Sequence, residues 1–378
     1  MLYSEDGRFE GDIALAYSGA GGKTSVALTS ARTTGSIGKA STTLPKAADY
    51  QKPTGKSNAK VTDFVLTETP EGFHYAFNAA GTDYMLLYWR SKEQTVTQPV
   101  YPDENGHYEG DVISDLTFAR TQFTVQVKSG SGSMKKEATV RKGYQAPEAP
   151  QRQEGRLSGV TVCIDAGHQE NGRFVNEPIG PGLSGSTSGK GGMAQGTKTN
   201  RRESIVCLEI GMLLRDELLR QGANVIMTRE DQTTFHTNIE RCEIAEAGGA
   251  QIMLRLHCNN SSNRSKRGIQ VYGPLNSDYA KAVADADTYR EMGQKLLDAM
   301  KTRVGMTLAN STGMVRLNDN YVGNNWAKMM CFLVEMGYLS NPAEEYLLVT
   351  PVYQQWLAEG MADGVYEIAV ARGWVQAQ

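Results

Sequence analysis

The sequence predicts a multidomain protein, with an N-terminal all-β immunoglobulin-like sandwich followed by a C-terminal α/β domain in which helices flank a mostly parallel sheet. The chain has 378 residues, more than one typical domain of about 100–200 residues. Short alternating runs separated by turn residues fill residues 60–143. From residue 157 onward, strand-like and helix-like patterns alternate instead, which is typical of α/β domains.

The overall composition is that of a soluble globular protein. Hydrophobic residues make up 40% of the chain, charged residues 21%, and the formal net charge is -3. This charge argues against binding to nucleic acid, and no apolar run approaches the ~20 residues of a transmembrane segment. The five cysteines form no CxxC pair, so neither a zinc ribbon nor a disulfide framework is expected. We expect most of them to be small buried hydrophobic residues.

An internal repeat supports the sandwich. Residues 3–13, YSEDGRFEGDI, match residues 101–112, YPDENGHYEGDV, with an offset of 99 residues when their Glu-Gly-Asp runs are aligned. One immunoglobulin-type sandwich takes about 100 residues, so the period itself predicts this fold. Residues 1–30 would then be the truncated end of a first copy, followed by a polar linker over residues 31–59. We expect the natural protein to continue N-terminally, with a secretion signal there.

The second copy, residues 60–143, has the strands of a whole sandwich. Turn residues such as Asn105 and Gly106 separate them. The expected strands cover residues 61–67, 73–78, 84–90, the neighbourhood of Tyr108, and 123–128. Residues 144–156 carry two prolines and no aliphatic cluster, which indicates a semi-extended linker between domains.

The α/β domain is expected over residues 157–374. Its first strand, VTVCID at residues 160–165, precedes an amphipathic helix that ends at Gly222. The further strands NVIMTR, QIMLRLH, GIQVYG and CFLVEMG alternate with helices, of which the last covers about residues 352–371. This order predicts a largely parallel sheet, and in such sheets the reactive groups lie beyond the carboxyl ends of the strands.

Three of these strands end in residues that can bind a metal or transfer a proton. His168 follows the first strand, His257 closes QIMLRLH, and Glu335 closes CFLVE. We expect all three to face the same crevice. Two neutral imidazoles and one carboxylate, with water in the fourth position, form the usual ligand set of catalytic zinc. A hydrogen-bonded structural role for each residue remains the alternative.

A third protein ligand has to come from another carboxylate. Glu203 is the best placed, because it lies in the first turn of the helix that follows a long glycine-rich segment. Glu170 and Asp165 are alternatives that the geometry could favour. Glu203 could also be only a favourable charge near a helix N-terminus.

Several segments of the α/β domain together resemble the zinc-dependent N-acetylmuramoyl-L-alanine amidases of the Amidase_3 type. They are IDAGHQ, the helix that opens at Glu203, TRED, LRLHCN and LVEMGYLSNPAEE, in this order. The resemblance covers Leu157 to about Trp374. It implies an α/β fold and cleavage of the amide between the lactyl group of muramic acid and L-alanine in peptidoglycan.

The resemblance also implies roles for single residues. His168, Glu203 and His257 match the metal ligands, with Zn2+ as the cofactor, and Glu335 matches the catalytic glutamate. Peptidoglycan is then the expected partner, and the expected location is extracellular or in the cell wall. We further expect a monomer.

Two features depart from the family pattern. The segment at residues 170–202 is longer than the family's usual connection, and it would form a lid or a substrate-binding wall. Arg255 stands where many relatives carry a small residue, and it is a candidate to hold a substrate carboxylate. An ion pair with a neighbouring acid is the alternative for Arg255. Asn341 also matches a family position, but we expect it to form a turn before Pro342.

Two other functions remain open on the sequence. The chain could be a non-catalytic cell-surface binding protein in which the sandwich repeats do the binding, or a zinc hydrolase of another amide, such as a peptidase or deacetylase. The presence of both histidines and both glutamates argues against an inert domain, since a silent site has no chemical need for them.

Overall fold

The computed structural model describes residues 20–29, 36–46, 48, 54–69, 72–91, 95–113, 121–142, 148–169, 175–187, 192–197, 199, 201–305 and 314–377. They belong to two compact units, the first ending at Lys142 and the second following it. Within these ranges, no helix has both the length and the apolar character that crossing a membrane requires.

The regular elements described in the first unit are all strands. They are β1 (Ala20–Thr29), β2 (Ser36–Lys46), β3 (Lys60–Thr69), β4 (Gly72–Ala80), β5 (Met85–Arg90), β6 (Thr95–Val100), β7 (His107–Ile113), β8 (Thr121–Ser129) and β9 (Met134–Lys142). An antiparallel sheet contains β3, β4 and β7, and a second contains β6, β5, β8 and β9. One hydrophobic core joins the two sheets, with Phe73 of β4 in edge-to-face contact with Trp89 of β5 at 6.0 Å.

The strands β1 and β2 form a separate antiparallel hairpin. We predicted a linker over residues 31–59, but part of that segment is strand β2. Its sequence, SIGKASTTLPK, has no regular alternation of apolar and polar side chains, so the usual strand signal is missing. The hairpin of β8 and β9 lies at nearly the same place in the chain 99 residues later. The matching segment at residues 3–13 lies outside the described residues.

The second unit is built on a six-stranded sheet in the order β11-β10-β12-β15-β13-β14. Its strands are β10 (Thr161–Ala166), β11 (Asn224–Met227), β12 (Ile252–Asn259), β13 (Gln270–Gly273), β14 (Met314–Leu317) and β15 (Met330–Tyr338). Neighbouring strands are parallel except for β13 and β15, which makes the sheet mixed. The connection from β12 to β13 contains no helix. A helical crossover would be needed for β13 to run in the same direction as β12, so β13 runs in the opposite direction.

Helices flank this sheet. They are α1 (Glu203–Arg220), α2 (Asn238–Ala247), α3 (Asp278–Val283), α4 (Ala286–Val304), α5 (Val322–Trp326), α6 (Pro342–Leu348) and α7 (Pro351–Ala371). We predicted that Asn341 forms a turn before Pro342; its side chain instead caps α6 by accepting hydrogen bonds from the backbone N–H groups of Ala343 and Glu344. All five cysteines are free and buried, as predicted.

Candidate active site

The carboxyl ends of β10 and β12 and the start of α1 bring three potential metal ligands together. His168 Nε2 lies 3.1 Å from Glu203 Oε1, and His257 Nδ1 lies 3.0 Å from the same oxygen. One ligand atom from each residue falls within 4.8 Å of the others. The three residues that the sequence proposed as ligands therefore share one site.

Glu203 is held in place by the backbone. It is 3% exposed, and its carboxylate accepts hydrogen bonds from Ala194 N at 2.7 Å and from Cys258 N at 3.0 Å. Burial alone would raise the pKa of Glu203, but the adjacent His168 and His257 outweigh it and hold that pKa well below its usual range. Burial also lowers the pKa of His257, which favours the neutral imidazole that a metal needs.

Asp165, one of the two alternative carboxylates, does not take this position. Asp165 is fully buried and ion-paired with Arg241 and with Arg255, the latter at 2.9 Å. Although burial acts in the opposite direction, the two guanidinium groups hold the pKa of Asp165 far below its usual range. Glu170 lies outside the described residues. Asp165 is thus an ion-pair partner of two arginines.

Glu335 stands beside the ligand cluster. It pairs with His257 in the register of β15 and β12, so the two side chains leave the sheet on the same face. Its Oε2 atom is buried and has no hydrogen-bond partner within the described part of the chain. Burial, and after it the charge of Glu203, raise the pKa of Glu335 well above its ordinary value. An unpaired buried carboxyl at a cleft is typical of a functional group.

His168 has an uncommon backbone conformation. Its φ of 58° is in the left-handed region, which costs about 1 kcal/mol or more for a side chain of this kind. Two arginines bind the turn that contains it. Arg229 donates to the carbonyl oxygens of Ala166 and Gly167, and Arg241 donates to those of Ala166 and His168. These bonds fix the direction in which the imidazole leaves the strand.

Arg255 is largely buried at 4% exposure, although it lines the cleft. Its Nε atom donates to Asp165 at 2.9 Å and its Nη2 atom donates to Asn238 Oδ1 at 2.6 Å. The ion pair that we considered as the alternative for Arg255 is therefore present. A direct contact between Arg255 and a substrate carboxylate stays a prediction.

A family model for N-acetylmuramoyl-L-alanine amidases of the Amidase_3 type matches residues 162–367, just over half of the chain. This chain belongs to that amidase family. The match includes each of the residues His168, Glu203, Arg255, His257 and Glu335.

Individual amidases match over the same share of the chain. The germination-specific N-acetylmuramoyl-L-alanine amidase of Bacillus subtilis (strain 168) is 26% identical over 231 residues, 57% of this chain and 83% of the relative. The probable cell wall amidase LytH of Staphylococcus aureus is 27% identical over 218 residues, which are 57% of this chain and 60% of LytH. The apo crystal structure of the amidase from Mycobacterium abscessus has a TM-score of 0.50 at 18% identity, covering 56% of this chain and 99% of that one. The last likeness is one of fold.

In this amidase the site lies in a cleft of about 540 Å³. One side is formed by the segment between β10 and α1, through residues such as Val175, Glu177 and Thr187, and another includes Asn259 and Tyr321. Neither Glu177 nor Asn238 was predicted from the sequence, nor were the two arginines that bind the His168 turn. For Arg229, the only signal in the sequence was its position in the TRED segment, which is part of the family resemblance.

Proposed function

We propose that this chain is a peptidoglycan hydrolase that cleaves the amide between N-acetylmuramic acid and the L-alanine of the stem peptide. The observation that carries the proposal is the cluster of His168, Glu203 and His257 beside Glu335, whose buried Oε2 has no hydrogen-bond partner among the described residues. The membership in the amidase family and the names of the curated relatives support it.

The residues present fit a zinc ion. Two imidazole nitrogens and one carboxylate oxygen converge on a small volume, and they leave the cleft side open for water or substrate. A zinc ion held by His168, Glu203 and His257 would supply Lewis acidity that activates water and polarises the amide carbonyl. Its positive charge would also shift Glu335 toward the carboxylate form.

Glu335 is proposed as the general base and acid. Its buried Oε2 has no competing partner among the described residues, so it can accept a proton from the attacking water. The same carboxyl can then donate that proton to the alanine nitrogen as the amide bond breaks. Backbone N–H groups hold Glu203, and Arg229 and Arg241, called the arginine clamp below, hold the His168 turn. The proposed metal ligands are therefore already in place before substrate binds.

The first unit is proposed to be an immunoglobulin-like sandwich that serves as a spacer or a wall-adhering module. Two sheets over a shared core support this proposal. We further propose that the protein is a monomer that acts outside the cell, in the cell wall, with the catalytic domain at residues 157–374 and the sandwich at residues 60–143. Relatives named as cell wall amidases support that location.

The test is a product analysis of the zinc-loaded full chain on intact peptidoglycan and on isolated muropeptides, with Glu335→Gln as the inactive control. We expect new amino ends on L-alanine without new reducing sugar ends. Release from peptides that lack muramic acid would indicate a peptidase instead, and an absence of products from every substrate would favour the non-catalytic binding protein.

A further inference from the structure

A continuous set of polar contacts runs from the strand beneath the site to the outer side of the cleft. Asp165 of β10 binds Arg255 of β12, and Arg255 binds the side-chain oxygen of Asn238 at 2.6 Å. The side-chain nitrogen of Asn238 in turn donates to Glu177 Oε2 at 2.7 Å. Each of these four residues lines the cleft, and Glu177 is only 5% exposed.

The chemistry of the two outer partners fixes the orientation of Asn238. A guanidinium group only donates hydrogen bonds, and a carboxylate only accepts them. The Asn238 amide presents its oxygen to Arg255 and its nitrogen to Glu177. A rotated amide would place donor against donor and acceptor against acceptor. Asn238 therefore joins Arg255 to Glu177 as a bridge that has one favourable orientation.

Glu177 also binds the start of α2. Its carboxylate accepts hydrogen bonds from the backbone N–H groups of Asn238 at 3.2 Å and Ile239 at 2.8 Å. These N–H groups have no acceptor within their own helix, and the helix dipole favours a negative charge there. Glu177 is thus held by three hydrogen bonds from one side.

The segment at residues 175–187, called the wall segment below, is a folded structure around Glu177. The backbone N–H of Thr187 donates to the Glu177 carbonyl at 2.9 Å. The far side of the segment is bound as well, because Asn325 donates to the Ile179 carbonyl and Trp326 donates to that of Pro178. With both sides bound, the segment has the contacts of a fixed wall rather than those of a lid.

We propose that Glu177 is a positioning residue that fixes the wall segment as a substrate-contacting surface, acting through the Asn238 bridge to Arg255. The proposal rests on the proposed function, since the bound substrate is a peptidoglycan fragment. It gives a joint role to the two departures from the family pattern, the long segment and Arg255, which meet at Asn238. Val175 supplies an exposed apolar side chain in this wall, 40% exposed and lining the cleft.

A wall that contacts the substrate away from the reacting groups stabilises the bound substrate and the transition state equally. Loosening it therefore raises KM and leaves kcat nearly unchanged. The hydrogen bonds that hold Glu203 and the His168 turn do not involve Glu177 directly, so the groups of the chemical step keep their own contacts.

The variants are Glu177→Ala, which removes the bridge and the helix cap, and Asn238→Asp, which keeps an acceptor for Arg255 but places a carboxylate against Glu177. Glu240→Ala is the matched control, because Glu240 caps the same helix by accepting from Thr237 N at 2.7 Å, and its hydrogen bonds within the described residues stay inside this cap. Steady-state kinetics use the zinc-loaded full chain and a soluble muropeptide with one stem peptide.

We expect Glu177→Ala and Asn238→Asp each to raise KM about 5- to 20-fold with kcat within about 2-fold of the unmodified protein. Because both break the same bridge, the double variant should be little worse than the more affected single variant. Glu240→Ala should keep the original KM. Unchanged KM in the two bridge variants, or a fall in kcat alone, overturns the proposal.

Hydrogen exchange read by mass spectrometry separates this proposal from the proposed function. The backbone amides at residues 175–187 should exchange faster in Glu177→Ala and Asn238→Asp but not in Glu240→Ala. If the muropeptide is not hydrolysed even by the unmodified chain, the proposed function fails, while the exchange result still shows whether Glu177 holds the wall segment. Unaltered exchange in both bridge variants would show that it does not.

Discussion

His257 and Glu335 occupy paired positions on the adjacent parallel strands β12 and β15. The distance between a proposed metal ligand and the proposed base is therefore set by the register of the sheet. Strands in a sheet hold such positions more rigidly than loops do. Both positions lie on strands that are almost entirely buried.

Replacing the proposed base gives the most direct test of this arrangement. Glu335→Gln keeps the size of the side chain but cannot accept a proton from water, so we expect kcat to fall by about 10²- to 10⁴-fold. Zinc content should stay close to that of the unmodified protein, because the three ligands are unaltered. The measurements are single-substrate kinetics and metal analysis. Glu243→Gln, on the exposed side of α2, is the control, and an active Glu335→Gln enzyme would refute the assignment.

Removing the metal should destabilise the protein. If the two histidines and the Glu203 carboxylate hold zinc as proposed, they do so only in the folded chain, so zinc at about 100 times its dissociation constant should add about 2.7 kcal/mol of stability. A chelator should lower the thermal midpoint, and added zinc should restore it. His168→Ala should lose most of this difference. Equal midpoints with and without zinc in the unmodified chain would mean that the cluster does not bind the ion.

The sequence predicted that His168, His257 and Glu335 lie together because each of them sits where a strand ends, whereas Glu203 was proposed from its place at the start of a helix. In a parallel sheet the carboxyl ends meet at one edge, so His168, His257 and Glu335 could be placed together without coordinates. The bridge around the site could not be predicted in this way. Asp165 and Arg255 are 90 residues apart in the chain, and Asn238 lies on a helix whose rotation no local pattern specifies.

Strands β6 and β9 were not predicted from the sequence, and their position in the sheet explains why. Both β6 and β9 are edge strands of the four-stranded sheet, and β6 carries Pro99, which is tolerated at an edge. The sequence of β9, MKKEATVRK, is mostly polar and exposed, and its only apolar alternation is the short Ala138 and Val140 pair. Strands with one buried face, such as Gly72–Ala80, were found because their alternate side chains are in the core.

The arginine clamp on the His168 turn predicts a linked loss of stability and metal affinity. Arg241→Ala removes donors from Asp165 and from the His168 carbonyl, so we expect a loss of about 3–5 kcal/mol from the free energy of unfolding. Zinc affinity should fall by about 10- to 100-fold, as it does when groups that orient metal ligands are lost.

Arg241→Lys should recover part of the stability through its charge but not the fork of bonds to the turn. Urea unfolding and competition with a zinc chelator provide the two measurements. The control is Arg290→Ala, in which an exposed ion pair with Asp287 is lost and stability should change by no more than about 0.5 kcal/mol. A clamp variant with lowered stability but normal zinc affinity would show that Arg241 does not position His168.

Glu344 predicts a dependence of stability on pH. Glu344 lies in α6 and is 4% exposed. Its carboxylate accepts hydrogen bonds from Tyr338 N, at the end of β15, and from Gly268 N, both at 2.8 Å. Burial raises its pKa from 4.5 to about 7, against the effect of those two bonds. Between these pH values the folded protein holds a proton that the unfolded chain has released. Stability from this group is therefore full below about pH 4.5 and falls by about 3 kcal/mol as the pH rises to about 7.

Glu344→Gln cannot titrate, so its free energy of unfolding should vary less between pH 4.5 and pH 7.5 than that of the unmodified chain. It should also be less stable at low pH, because one amide nitrogen replaces an acceptor for a backbone N–H. Urea unfolding across this pH range, with the exposed Glu291→Gln as the control, gives the comparison. Parallel curves for Glu344→Gln and the control would mean that Glu344 is ionised in the folded protein throughout, because the two backbone N–H groups then outweigh its burial.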